Sequence, residues 1–411
     1  MGLAIDDSRE TFNLSINHHH DFEASLGLYE NNNAKYLPKK VLIISKTTKL
    51  QYELQRAKLD YSNVDNPSFR KKLETRGTNF EEIREKDNLQ QNFINTMKKE
   101  LEKHGIQVKV ATRHDYTKNL ALWGDLIISA GGDGTFLTAA TKVCNGVPVI
   151  GMNTDHIGSE GHLCLTGKQR RPPDEVIRQL LNGQFQWTYR QRIRVTIIKN
   201  GNDDLDSSIL SNAKRSSTSK ACNFFSDDEC EEITYATEPM LALNEVFIGE
   251  HHAAKCSYYE VKIDDGPMVK QKSSGLIVCT GTGSTSWNYN VNKLSSQTMK
   301  DIMDVMCNMG FQTDQNIDEK VVDEFCQRFN SNLIFEPIEP KMAFTVRDPV
   351  FNATFPTTSS RGFAKKIRIK SRCSSAHLVL DGSTSVPFNQ GTEVLLELIP
   401  EDALQTVILK H

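Results

Sequence analysis

The chain has 411 residues, of which 38% are hydrophobic and 25% charged, and its formal net charge is −3. Those figures fit an ordinary globular chain of about two to three domains. They provide no basic footprint for nucleic acid, and no apolar run approaches the roughly 18 residues that a membrane span needs.

Residues 1–37 are polar, carry His18-His19-His20, and read as a disordered tail. Asp6, Asp7, Glu10, Asp21, Glu23 and Glu30 stand against one arginine, Arg9, before Lys35, which is unlike an arginine-rich import presequence. Lys39 to Ile44 reads as the first strand. From Glu85 to His104, Leu89, Phe93, Met97 and Leu101 recur every four positions as one helical stripe, stopped by Gly105. Ile106–Ala111, Leu126–Ala130 and Val147–Ile150 are further apolar strands. Alternating strands and helices over 38–186 predict an α/β domain with a parallel sheet, whose ligands bind at the carboxyl ends of strands.

At one such end lies Gly131-Gly132-Asp133-Gly134-Thr135, followed by a helix-like run from Phe136 to Cys144. Glycines let a backbone approach a ligand closely, and the amides that open a helix attract anions. Asp133 repels phosphate, so its place there suits a sugar hydroxyl, a proton to be accepted, or a phosphate-bound cation. A plain strand-to-helix turn would look the same.

From Trp187 the chain turns β-rich. Arg194–Ile198, Ala242–Ile248, Tyr258–Ile263, Leu276–Cys279, Lys366–Lys370, Leu378–Leu380 and Val394–Ile399 read as strands, with Asp264-Asp265-Gly266-Pro267 a turn. The second domain thus covers 187–411, its C-terminal end free to return to the first. It holds a polar insertion at 200–238, expected to be disordered, and a helical one at 295–330. In the latter, Met299, Ile302, Met303 and Met306 share one face, and Val322, Phe325 and Phe329 another. The nine cysteines form no Cys-x-x-Cys pair, which suits a reducing compartment, with Cys144, Cys164 and Cys279 expected as buried thiols.

Two segments of this domain carry polar groups in apolar surroundings. Asn244-Glu245 interrupts a strand-like run, where each polar group needs a partner. An Asn amide can bond an adenine edge and a Glu can accept from sugar hydroxyls, although a solvated strand end would look the same. Thr280-Gly281-Thr282-Gly283-Ser284-Thr285-Ser286-Trp287 follows an apolar strand and is rich in hydroxyl donors. It is not the dinucleotide fingerprint, because Ser286 stands where its third glycine belongs, and no Walker A loop is present.

Taken in order, Gly-Gly-Asp-Gly-Thr, Asn-Glu and Thr-Gly-Thr-Gly-Ser-Thr resemble the NAD kinase family, from about Val41 to the C-terminus. Asn153-Thr154-Asp155, Ser159 to Leu163, Arg190 to Arg194 and Ala242 to Glu250 look most like its animal mitochondrial branch. The resemblance implies an α/β domain, a β-rich domain and a ligand site between them. It implies transfer of the ATP γ-phosphoryl group, with a divalent cation (Mg2+ expected), to the 2′-hydroxyl of the adenosine ribose of NAD. Gly131, Gly132, Gly134 and Thr135 would cradle phosphates by their amides, and Asp133 would accept the hydroxyl proton. Asn153, Asn244, Glu245, Lys272 and the loop Thr282, Gly283, Ser284, Thr285, Ser286 and Trp287 would bind NAD. A homodimer and a mitochondrial location are expected, with a cytoplasmic one as the alternative. This chain departs from the family pattern at Gly281, where proline is usual, and at Ser286-Trp287, where Ala-Tyr is common. It also has Ser273-Ser274-Gly275 where Gly-Asp-Gly is frequent. Lipid kinases sharing the Gly-Gly-Asp-Gly-Thr loop, and a silent dinucleotide-binding protein, are the rival readings.

Overall fold

A computed structural model describes residues 35–198 and 240–409, apart from 145, 156–157, 159–160, 166, 168, 170 and 312–317. The tail up to residue 34, the insertion at 200–238 and the pair Ser159-Glu160 lie outside the described residues. The chain divides into two compact units, Met1–Tyr189 with Leu404–His411, and Arg190–Ala403.

The first unit is built on a four-stranded parallel sheet of β1 (Lys40–Ser45), β2 (Gln107–Thr112), β3 (Leu126–Ala130) and β4 (Val149–Met152), in the order β2-β1-β3-β4. Val41 to Ser45 and all of β3 are buried, as continuous apolar runs in a parallel sheet must be. The helix Phe80–Lys103 starts where the Asn79 side chain caps the Glu82 amide. Its buried face is Ile83, Asp87, Gln90, Ile94, Met97 and Leu101, whereas Leu89 of the expected stripe is 54% exposed. A strict four-residue repeat drifts about 40° per step on a 3.6-residue helix, so over three steps it leaves the core. Helices Lys49–Ala57 and Pro67–Thr75 are additional to the sequence reading. Each is short and offers the core only one pair of apolar residues, Leu50 with Leu54 and Phe69 with Leu73. Strand β5 (Phe185–Arg190) pairs with the C-terminal strand Leu404–Leu409, whose Val407 and Leu409 join this unit's core.

In that sheet β1 leads outward to β2 on one side, while β3 leads to β4 on the other. The carboxyl ends of β1 and β3 therefore flank the topological switch point, where open α/β sheets leave a crevice.

The second unit is built on two six-stranded sheets, antiparallel throughout. One runs β10-β9-β14-β17-β6-β7 and the other β13-β12-β11-β8-β15-β16. In chain order these are β6 (Ile193–Ile198), β7 (Met240–Ala242), β8 (Glu245–Glu250), β9 (Ser257–Ile263), β10 (Val269–Ser273), β11 (Gly275–Cys279), β12 (Met342–Arg347), β13 (Arg361–Ala364), β14 (Lys366–Ser371), β15 (Ala376–Leu380), β16 (Thr384–Pro387) and β17 (Glu393–Leu398). Ile193, Val246, Ile248, Tyr259, Ile367 and Val394, drawn from both sheets, share one buried core.

Ala242–Ile248 is not one strand: β7 ends at Ala242 in the first sheet and β8 begins at Glu245 in the second. Leu243 and Asn244 make the crossing. The helical insertion forms Ser296–Asn308 and Glu319–Ser331, which bury Met299, Val322 and Cys326 but leave Ile302 and Phe325 exposed. Of the three thiols expected to be buried, only Cys279 is; Cys144 is exposed and Cys164 intermediate, both lying in loops outside the sheets.

Candidate functional site

In the first unit the chemistry gathers at the switch point. Gly131 continues β3 by donating its N–H to Met152 O at 3.0 Å, and a Cβ there would collide with the Thr135 side chain. Gly132 caps the helix Asp133–Ala140, which stops well short of the expected Cys144. The Thr135 N–H returns to Gly132 O at 2.9 Å. The amides of Gly131 and Thr135 are thus engaged within the fold. The N–H groups that open the helix, Asp133 and Gly134, are the ones such a turn leaves for an anion. A Cβ on Gly134 would meet open space.

Asp133 projects from the first turn of that helix. Its two carboxylate oxygens accept the backbone N–H groups of Leu163, at 2.9 Å, and His162, at 3.2 Å. An ionised carboxylate offers about four lone-pair sites, so it is oriented here yet keeps capacity for a hydroxyl proton. Asn153 is buried, and its amide is spent on its own loop, donating to Gly167 O at 2.8 Å and accepting from Asp155 N at 3.0 Å.

In the second unit, Asn244 and Glu245 sit at the crossing between the sheets, so the polar pair lies at a strand start, not within one. Asp381, just past β15, holds the crossing by accepting the N–H groups of Leu243, Asn244 and Glu245 at 2.8, 2.7 and 3.1 Å. The loop after β11 closes on the same place: Thr280 Oγ1 donates to Leu243 O at 2.5 Å, and its N–H donates to Asn244 O at 3.0 Å. A side chain on Gly283 would strike the Asn244 carbonyl, so glycine is required by this close approach. Asn244 Nδ2 reaches Ser286 Oγ at 3.4 Å.

Two acceptors are left over. Asn244 Oδ1 and Glu245 Oε2 are buried and lack any hydrogen-bond donor. They are two of several buried polar atoms that find no partner within the chain, and what singles them out is that they lie side by side at the crossing, where water or a ligand would supply the donors. Burial, and then the charge of Asp381, push the Glu245 carboxyl up to about 7. Asp381 is itself pushed up by burial, an effect its three amide donors oppose.

The remaining loop residues are tied into the unit. Thr282 Oγ1 accepts from Arg190 at 3.4 Å, Thr285 Oγ1 donates to Thr282 O at 3.4 Å, and Ser284 Oγ donates to Gly281 O at 2.6 Å. A Cβ at Gly281 would collide with the Glu336 carbonyl, so a proline there would demand a different neighbour. Trp287 lies 5.0 Å from the Phe247 ring, with the Arg347 guanidinium 5.4 Å from its centroid. Lys272 is on β10, in the other sheet from Glu245, with its ammonium 5.2 Å from the Tyr258 ring centroid.

Sequence reasoning passed over Asp381 and Lys46. The latter follows β1, and its ammonium is 3.4 Å from Asp155 Oδ2. A basic residue directly after a strand that borders a glycine turn is the signal that was available.

Two family models match the chain: ATP-NAD kinase N-terminal domain over residues 47–185 and ATP-NAD kinase C-terminal domain over 243–322. The rat protein named NAD kinase 2, mitochondrial, is 36% identical over 383 residues, covering 92% of this chain and 89% of its own length. Its human counterpart of the same name is 36% identical over 386 residues, covering 92% and 85%. Among solved structures, an NAD kinase from Archaeoglobus fulgidus in complex with ATP is similar over 90% of this chain and 93% of that one, at 15% identity and a TM-score of 0.48.

Proposed function

This chain belongs to the NAD kinase family, and we infer from that premise that it transfers the γ-phosphoryl group of ATP to the 2′-hydroxyl of the adenosine ribose of NAD. The products are NADP and ADP. The observation that carries the substrate assignment is the pair of buried acceptors without donors, Asn244 Oδ1 and Glu245 Oε2. A nucleoside supplies what they lack, an amino edge and ribose hydroxyls.

Phosphoryl transfer asks chiefly for alignment and charge neutralisation. The Asp133 carboxylate, oriented by two amides, accepts the 2′-hydroxyl proton as the ribose oxygen attacks the γ-phosphorus. The bond from that phosphorus to the bridging oxygen breaks, and ADP leaves. The helix-opening amides after Gly132 receive phosphate oxygens, while Gly131 and Thr135 shape the turn. The loop from Thr282 to Trp287 braces the crossing that carries Asn244 and Glu245. Asn153 acts through the loop it ties down, and Lys272 contributes positive charge from the other sheet.

A divalent cation would neutralise charge on the β- and γ-phosphates. Such a cation would arrive on the nucleotide, as the use of ATP implies; among the described residues no group of three His, Cys, Asp or Glu side chains is placed to hold one. The names of the curated relatives support a mitochondrial location, which imaging of a tagged full-length chain tests. Exposed Ile302, Val305, Met309 and Phe311 support a homodimer, which light scattering after gel filtration tests. Purified protein given MgATP and NAD should form NADP; if it forms none, while phosphorylating a diacylglycerol or sphingosine, the reading is wrong.

A further inference from the structure

Lys46 follows β1 directly, and its ammonium lies 3.4 Å from Asp155 Oδ2, on the loop after β4. In the order β2-β1-β3-β4, strand β3 lies between those two points. Neighbouring strands are about 4.8 Å apart, so the Lys46–Asp155 pair bridges roughly 9–10 Å across the carboxyl end of β3. That end is Ala130, whose carbonyl accepts the Lys46 N–H at 3.0 Å, and Gly131 comes next. A Cβ on Gly131 would stand 3.0 Å from Lys46 Cβ, so the missing side chain keeps the path of the lysine open. The pair therefore spans the turn that leads into the amides opening the Asp133–Ala140 helix.

The pair itself is loosely held. The side chains of Lys46 and Asp155 are 27% and 41% exposed, and partners this open to water bind each other weakly. Asp155 does not depend on Lys46 for its position, because its Oδ1 accepts the Gly158 N–H at 2.9 Å. Lys86 also bears on it electrostatically, so the carboxylate keeps a positive neighbour if Lys46 leaves. An ammonium on a flexible stem, with three rotatable donors, can exchange one oxyanion for another with little reorganisation.

We propose that Lys46 binds the nucleotide polyphosphate, resting on Asp155 until phosphate oxygens displace the carboxylate. The proposal rests on the kinase reading above and adds to it the cation that the sequence motifs omit. It also gives the Asp155 carboxylate a function, as a competitor that holds the ammonium over the turn and yields it to a more highly charged ligand.

Inorganic tripolyphosphate, titrated calorimetrically in EDTA, isolates this contact from the metal, from NAD and from turnover. Wild type should bind it. Lys46→Met should bind about ten- to hundredfold more weakly, the usual cost of losing a charge-assisted bond. Lys46→Arg should retain most of the affinity, and Asp155→Asn, which keeps the Gly158 contact but not the charge, should bind more tightly than wild type. In steady-state kinetics Lys46→Met should raise the KM for ATP and leave the KM for NAD in place. A bridge that served only to fasten the loop would shift melting in Lys46→Met and Asp155→Asn alike, with tripolyphosphate affinity unmoved. That result, or weaker binding by Asp155→Asn, overturns the proposal. NADP formation by wild type is measured alongside: turnover with an indifferent Lys46 sinks this inference alone, while no turnover at all sinks the reading beneath it.

Discussion

Asp381 Oδ1 accepts the backbone N–H of Asn244 at 2.7 Å, and the N–H of Asp381 donates to Glu245 O at 3.0 Å. The exchange fixes the crossing between the two sheets, and Asp381 adopts φ 48 to make it. Removing the carboxylate with Asp381→Ala strands three amides, each costing about 1–3 kcal/mol when left buried and unpaired. Partial entry of water should bring the total loss of stability to about 3–5 kcal/mol in urea unfolding. Asp381→Asn keeps one acceptor and should lose less, while raising the KM for NAD because Asn244 and Glu245 are no longer held in register. Equal unfolding midpoints for wild type and Asp381→Ala would remove Asp381 from this role.

Gly131 and Gly134 look alike in the sequence but stand in different surroundings. Gly131→Ala drives a methyl group into the Thr135 side chain and against Lys46, so it should destabilise the first unit by about 1–3 kcal/mol and reduce activity. Gly134→Ala meets nothing, and alanine in a helix is favoured over glycine by roughly 1 kcal/mol. It should melt no lower than wild type yet raise the KM for ATP, since the methyl group occupies the approach of a phosphate. Melting curves and ATP kinetics on the two variants separate fold from function. A Gly134→Ala enzyme that binds ATP like wild type would show that the nucleotide does not approach that backbone.

In the parallel sheet of the first unit β1 and β3 were legible because strands buried on both faces are written as unbroken apolar runs, whereas β5 and Leu404–Leu409 were not read as strands. Strands β10, β13 and β16 were not legible, since an antiparallel strand such as Thr384–Pro387 alternates exposure and carries few apolar residues, and β12 was passed over although Met342 to Val346 are buried. The Asn244-Glu245 pair was legible as an anomaly, but not its cause. The partner that explains it, Asp381, lies more than 130 residues on and meets it through the β8–β15 pairing. Lys46 was missed for a similar reason: its meaning depends on β3 lying between β1 and β4, which strand order alone reveals.

Asp133→Asn should reduce kcat by roughly 10²–10⁴, the usual contribution of a general base. It is not a silent replacement in the fold. Both oxygens of Asp133 accept backbone amides, so an asparagine turns an NH₂ group toward either His162 or Leu163. A loss of about 1 kcal/mol should accompany the rate effect, read as a drop of a few degrees in Tm. Full melting stability together with near-wild-type turnover would remove Asp133 from both roles.

Glu245 should make both stability and NAD binding depend on pH. Its carboxyl is pushed up to about 7, first by burial and then by the charge of Asp381. The neighbouring Cys279 thiol, opposite it on β11, is itself pushed far up by burial and stays neutral, and Arg192 bears on Asp381. Between the ordinary glutamate value and 7, the folded chain holds a proton that the unfolded chain has released. Stability therefore falls as pH rises through that window and levels off above it, by about 2–3 kcal/mol for a shift of this size. Glu245→Gln should lose this slope, melting near wild type at pH 4.5 and above it at pH 8. Ribose hydroxyls donate best to the ionised form, so NAD should bind more tightly as pH rises toward 7.5 and should displace a proton on binding near pH 6.5. Calorimetry in buffers of different ionisation enthalpy counts that proton. Identical counts for wild type and Glu245→Gln would mean that Glu245 does not take the donor its buried oxygen lacks.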